Sequence, residues 1–276
     1  MRLLRFLFLA PARSFQYLLF LVPLGIICAY SFLTRGAYGG QGLPATLDNW
    51  ARLADPLYLR IIVRSFWMAG LSTLAALLIA FPLALFITRA GRRKTLYLNL
   101  VMLPFWTSFL VRTYAWMFLL RDTGLVNTVL QATGLIGEPL PLLYNDGAVV
   151  LGLVYGYLPF MVLPIFAALE RLDGSVLEAA AGLGARPLAS LWYVIVPLSR
   201  PGIVAGVVLV FIPCLGAYLT PDLLGGGKSV MIGNLVQNQF TSARDWPFGS
   251  AVSLALMALV MVLLAVFLRR KEMTLL

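Results

Sequence analysis

The chain has 276 residues, of which 61% are hydrophobic and 12% charged, with a net charge of +10. A soluble domain of this length carries roughly a quarter charged residues; here the charges sit between long apolar runs, which excludes a soluble globular protein and leaves an integral membrane protein. The basic residues flank those runs rather than forming a patch on a polar fold, so nucleic acid is not a partner, and the absence of any histidine removes His-based acid–base chemistry and most zinc and facial-triad iron sites.

Six apolar stretches come close to the roughly 20 residues that a helix needs to cross a bilayer: Phe15–Leu33, Ile61–Thr88, Leu96–Leu120, Gly147–Leu169, Pro201–Leu223 and Phe248–Leu268. The expected fold class is therefore an all-α integral membrane protein with six transmembrane helices. Arg2, Arg5 and Arg13 precede the first stretch, as in a signal peptide. Its apolar run is longer than a signal peptide's, however, and Tyr30-Ser31-Phe32 is a poor cleavage site, so a retained helix is expected. Cys28 and Cys214 both lie inside apolar runs and read as buried free thiols.

Lys and Arg in the loops set the orientation. Thirteen lie on one side (Arg2, Arg5, Arg13; Arg89, Arg92, Arg93, Lys94; Arg171, Arg186, Arg200; Arg269, Arg270, Lys271) and six on the other (Arg35, Arg52, Arg60, Arg121, Lys228, Arg244). The richer side is expected to be the cytoplasm, with both termini inside. Three regions follow: residues 1–60 with a cytoplasmic segment, the first span and an outer loop; a five-helix core over 61–270; and a cytoplasmic tail at 271–276.

The inner connection between spans four and five, about 172–200, is the most informative stretch. Ser175 and Glu178 have capping-box spacing ahead of an Ala-rich turn. Gly184 is suited to end that helix in the left-handed conformation. Pro187 can open a second short helix, Pro197 is expected to end it, and Pro201 to open span five. Ala179, Ala180 and Ala181 give the first helix a thin flank, suited to a groove on another protein.

Glu178-Ala179-Ala180, Gly184 after three intervening residues, and Val194-x-Val196-Pro197 after nine more resemble the EAA motif of ABC importer permeases, with valine at both aliphatic positions of the family's I-x-L-P. The resemblance implies the type I permease fold, with this loop as the coupling helix and Glu178, Ala179, Ala180 and Gly184 facing a separate ATPase. It also implies the partners: an ATPase dimer that binds the ATP, a second homologous permease subunit and an external solute-binding protein, in the lipid of a bacterial inner membrane. Further blocks, Val111-Arg112-Thr113-Tyr114-Ala115-Trp116, Gly152-Leu153-Val154-Tyr155, Leu158-Pro159-Phe160-Met161 and Arg244-Asp245-Trp246-Pro247-Phe248-Gly249, are similar to the spermidine/putrescine branch of that family. The resemblance implies a polyamine as the solute, with an opine, a phosphonate or another small solute as the alternative.

Candidate path residues are the polar and aromatic groups within spans. Arg112 is either a path residue or a structural group holding an ion pair or backbone carbonyls. Tyr155, Tyr157, Phe160, Tyr114 and Trp116 could present ring faces to an ammonium, or serve as packing and interfacial aromatics. Asp222 could attract a cation, or be a solvated loop carboxylate or a cap. Arg64 is expected to reach the headgroups. Pro159 and Pro164 mark span four as a bent helix lining the path.

No catalytic, cofactor or metal-ligating set stands out. Gly225-Gly226-Gly227-Lys228-Ser229 is no nucleotide loop, since its spacing is wrong and it falls outside the membrane. An ion-coupled secondary transporter would need mid-span carboxylates, and none is present. A membrane enzyme would need a nucleophile–base pair or metal cluster, and neither is found.

Overall fold

The structure is a computed structural model that describes residues 2–272, and side chains from 14 to 265. The elements in order are α1 (Arg2–Ser31), β1 (Leu33–Arg35), β2 (Gln41–Ala45), α2 (Asp48–Arg52), α3 (Pro56–Thr88), α4 (Lys94–Met102), α5 (Phe109–Leu120), α6 (Leu125–Ala132), α7 (Asp146–Glu170), α8 (Gly174–Gly182), α9 (Pro187–Ser190), α10 (Val196–Gly216), α11 (Leu219–Gly225), α12 (Ile232–Phe240) and α13 (Trp246–Glu272). Of the tail expected at 271–276, residues 271 and 272 belong to the end of α13, and 273–276 lie outside the described residues.

Among the described residues, five helices are long and apolar enough to cross a membrane: Ser14–Ser31 within α1, α3, α7, the continuous run Pro187–Gly216, and Trp246–Ala265 within α13. The span expected at Leu96–Leu120 is not a single helix. It is broken into α4, a 3-10 turn at Leu103–Trp106 and α5. Pro104 cannot donate to the preceding turn and Thr107 is extended (ψ 153°), so the α-helical ladder stops there and restarts after Ser108. The fifth span also differs from expectation. Its helix stops at Gly216, and Leu219–Gly225 is a separate short helix.

Pro197 and Pro201 neither end nor begin a helix. The chain runs helically from Pro187 to Gly216 through a π-helical turn at Leu191–Ile195. A proline ring clashes with the carbonyl four residues back. For Pro197 that is the carbonyl of Tyr193, inside the π turn, where the wider spiral accommodates it. The all-helical expectation needs one amendment as well: β1 and β2 pair antiparallel, around a turn with Gly39 at φ 90° and Gly40 at φ 78°.

The chain divides into two compact units. The first joins the residues up to Ile61 with those from Leu235 onward. In it α1 lies along α13, and α2 and β1 also contact α13. Asn49 is buried and donates through Nδ2 to the carbonyls of Ser31 (3.1 Å) and Leu33 (2.8 Å), fastening α2 to the end of α1. Arg35 donates to the Ala243 carbonyl at 2.6 Å, and the Gly40 N–H to the Arg244 carbonyl at 2.7 Å, anchoring the hairpin.

The second unit is Ile62–Asn234. Its centre is the pair α7 and α10, which pack closely because Gly202 and Gly206 fall one above the other. A Cβ on Gly202 would lie 2.4 Å from the Pro164 carbonyl oxygen, and one on Gly206 2.7 Å from the Met161 sulfur. Small residues spaced by four let two backbones approach where no hydrophobic effect drives helices together. Half of α7 is buried, a larger share than in the other four spanning helices. Within α3 the buried positions Ser65, Met68, Ala69, Ser72, Thr73, Ala76, Ala80 and Ala84 form a stripe dominated by small residues.

Candidate functional site

The inner loop folds as a short helix, a left-handed turn and a second helix start. The α8 N-cap is Asp173, whose side chain accepts from the Ser175 N–H at 3.0 Å. The expected Ser175–Glu178 capping box is therefore replaced by a cap two residues earlier, because Asp173 reaches the orphan amides of the first turn before Ser175 can. That N–H holds the Asp173 carboxyl below the usual carboxylate range. Gly184 has φ 80°, as its position predicts, and its N–H bonds to the Ala181 carbonyl at 2.9 Å. Pro187 opens α9. Glu178, Ala179 and Gly184 are exposed and Ala180 is half-buried. Beside them stand the exposed apolar side chains of Leu183, Leu188, Trp192 and Tyr193.

The path candidates do not form one group. Arg112, Tyr157 and Phe160 meet in a cluster with Phe105 and Phe109: the Arg112 guanidinium lies 5.4 Å and 5.5 Å from the Phe105 and Phe109 ring centres. Phe160 meets Phe105 edge-on at 5.2 Å, and Tyr157 lies 6.2 Å from Phe109 and 6.3 Å from Phe160. Arg112 is 8% exposed and its Nε has no hydrogen-bond partner. Among the described residues it has no ion pair, and its contacts are with ring faces.

Trp116 and Tyr155 make a separate edge-to-face pair at 5.5 Å. Tyr114 is 40% exposed. Asp222 stands on the exposed side of α11. Arg64 does not simply reach toward headgroups: it donates to Asp146 at 2.6 Å, and Ser229, itself bonded to Asp146, completes a polar knot joining α3, the start of α7 and the loop after α11. Lys94 pairs with Glu170, tying the start of α4 to the end of α7.

Residues 17–271 match the family described as the binding-protein-dependent transport system inner membrane component. The chain belongs to this family. It is 40% identical over 262 residues to the spermidine/putrescine transport system permease protein PotB of Haemophilus influenzae, covering 94% of this chain and 92% of that protein. It is also 40% identical over 253 residues to PotB of Escherichia coli K12, covering 91% and 92%. To the inner membrane ABC transporter permease protein YdcU of the same organism it is 38% identical, covering 80% and 74%. Among solved structures, a bacterial ABC transporter involved in alginate import superposes with a TM-score of 0.76 at 17% identity, covering 98% of this chain and 95% of that one. The MetNI methionine ABC transporter does so with 0.57 at 18%, covering 79% and 98%. At such identities these likenesses establish the importer-permease fold.

Several residues that shape this permease escaped the sequence reading. Phe105 and Phe109 complete the Arg112 cluster, yet a phenylalanine in an apolar run carries no signal of its own. Asn234 donates to the Tyr218 carbonyl at 2.8 Å and accepts from the Met231 N–H at 3.2 Å, holding the start of α11. The sequence hint available there was a lone amide between two apolar segments.

Proposed function

We propose that this chain is the membrane-spanning permease subunit of an ATP-driven importer for polyamines of the spermidine/putrescine class. The observation that carries the reading is the 40% identity, over 94% of the chain, to a permease named for spermidine/putrescine transport. The chain crosses the inner membrane six times, with both termini in the cytoplasm. The third crossing is the broken pair α4–α5, and the core is residues 61–270. The chain hydrolyses no ATP itself. Glu178, Ala179, Ala180 and Gly184, with α8, act as the coupling element against a dimeric ATPase. A second, homologous permease completes the pathway, and an external receptor delivers the solute. ATP binding draws the inner loops together and turns the cavity outward; hydrolysis resets it, a rigid-body alternation between two states.

The exposure of α8 and the rigid left-handed turn at Gly184 support the coupling role. Tyr155, Tyr157, Phe160, Tyr114, Trp116 and Asp222 are the side chains suited to an ammonium. The buried, unpaired guanidinium of Arg112 favours a second reading, a solute bearing a carboxylate or phosphonate, because a bare arginine repels a cation.

The test is reconstitution of the chain with its partner permease, ATPase and receptor in proteoliposomes, followed by uptake of labelled putrescine, spermidine, an opine and a phosphonate with and without ATP. ATP-dependent polyamine uptake is expected. Uptake of an acidic solute alone would favour the second reading, and uptake without ATP would overturn the importer assignment.

A further inference from the structure

Helix α11 is a short helix returning alongside the outermost turns of α7. Its last residues meet the mouth of that span: the Leu224 carbonyl accepts from the Tyr144 N–H at 2.9 Å, and Gly225 lies against Val149. Its first turn lies further in. Thr220 and Leu224 close on Gly152, where an added Cβ would stand 2.6 Å and 2.5 Å from their methyl groups. Gly152 is six residues beyond the start of α7, or about 9 Å into the span at 1.5 Å per residue.

Thr220, Pro221 and Leu224 are buried, which turns Tyr218 and Asp222 to the opposite, exposed side. The Asp222 N–H bonds to the Tyr218 carbonyl at 3.0 Å, so the two residues are one helical turn apart on one face. Asn234 holds that same carbonyl at 2.8 Å, fixing the backbone from which the phenol projects. Among the described residues neither the Asp222 carboxylate nor the Tyr218 hydroxyl has a hydrogen-bond or ion-pair partner. An unpaired charge within a span is expensive in lipid, so this exposed face calls for polar or water-lined surroundings.

We propose that Tyr218 and Asp222 form a binding site for the ammonium group of an alkylamine, on the wall of the pathway at the end remote from α8. The carboxylate accepts the N–H donors of the cation, and the Tyr218 ring offers its negative face. The inference rests on the amine-importer reading and adds the residues that select the charge.

The complete transporter, assembled with its ATPase, partner permease and receptor, provides the test. Putrescine uptake is measured at saturating loaded receptor, alongside complex assembly and thermal stability. Asp222→Asn is expected to lower uptake between about tenfold and a hundredfold, the range for losing a charged hydrogen-bond partner, and Tyr218→Leu by about five- to thirtyfold, the range for losing a desolvated ring face. Tyr218→Phe, which keeps the ring, and Asp222→Glu, which keeps the charge, stay within about threefold of wild type, since a ring face and a carboxylate both remain. Wild-type uptake by Asp222→Asn overturns the site, and so does equal impairment of Tyr218→Phe and Tyr218→Leu. Failure of Asp222→Asn to assemble overturns it in favour of a subunit contact. In each of these cases wild-type amine uptake leaves the importer reading standing. A wild-type transporter that moves only non-amine solutes overturns both.

Discussion

Arg52 donates to Asp245 at 2.9 Å while its guanidinium lies 4.0 Å over the ring of Phe248, which is fully buried. Asp245 also accepts from the Phe248 N–H at 3.2 Å, so one carboxylate both caps the start of α13 and holds α2 against it. Burial works against the Arg52 charge, yet the bonds and charge of Asp245, with Tyr58, raise its pKa. The Arg52 side chain is 43% exposed, so solvent screens part of the pair. Arg52→Ala or Asp245→Ala is expected to cost about 1–3 kcal/mol. The double variant should be little worse than the more damaging single one, because both remove the same pair. Thermal unfolding of the four proteins in one detergent checks this.

Gly202 and Gly206 differ in what opposes an added methyl. At Gly202 it meets backbone, the Pro164 carbonyl; at Gly206 the nearest atom is the movable Met161 sulfur. Gly202→Ala is therefore expected to destabilise by about 1–3 kcal/mol and Gly206→Ala by less. Gly70→Ala, with nothing within 4 Å, should be neutral or stabilising by up to about 1 kcal/mol. The order of melting temperatures decides it.

Gly184 has open space around it, so its constraint is its φ of 80° alone. Gly184→Asn should be tolerated better than Gly184→Ala, and Gly184→Val least of all, following their tolerance of the left-handed region. Gly182→Ala, helical and uncrowded, is the control. If the loop couples to an ATPase, transport per ATP falls in that order while thermal stability changes little.

Asp173 supplies a pH dependence of known sign. Its native pKa is depressed by the Ser175 N–H, so the stabilisation is complete above its ordinary value of 3.8 and is lost as pH falls through the lower native value. Asp173→Asn caps without titrating. Hydrogen exchange of the first α8 amides should therefore diverge between wild type and Asp173→Asn only in that acid window, with the wild type losing protection.

The parts of this fold legible in the sequence were those encoded locally. Apolar length marked the spanning helices, and Gly184 and Pro187 marked a turn and a helix start through backbone rules that need no partner. Residues whose role depends on something distant were not legible. Arg52 and Asp245 lie 193 positions apart, and neither announces the other. The hairpin was missed because Gln41-Gly42-Leu43-Pro44-Ala45 lacks strand alternation and is held instead through Arg35 and Gly40. The break in the third span was written in Pro104, but hydropathy averages over it. The path candidates divided into a cluster, a pair and outlying residues because residue type reports chemistry and not direction.

The π turn at Leu191–Ile195 has a mechanical consequence. By absorbing Pro197 without a break, it leaves Pro187–Gly216 as one strut about 45 Å long at 1.5 Å per residue. Its near end begins three residues after Gly184, the left-handed turn of the inner loop, and its far end hands directly to α11. A tilt imposed at the base is carried to the tip as a lever carries it, with the glycine-lined seam against α7 as the fulcrum.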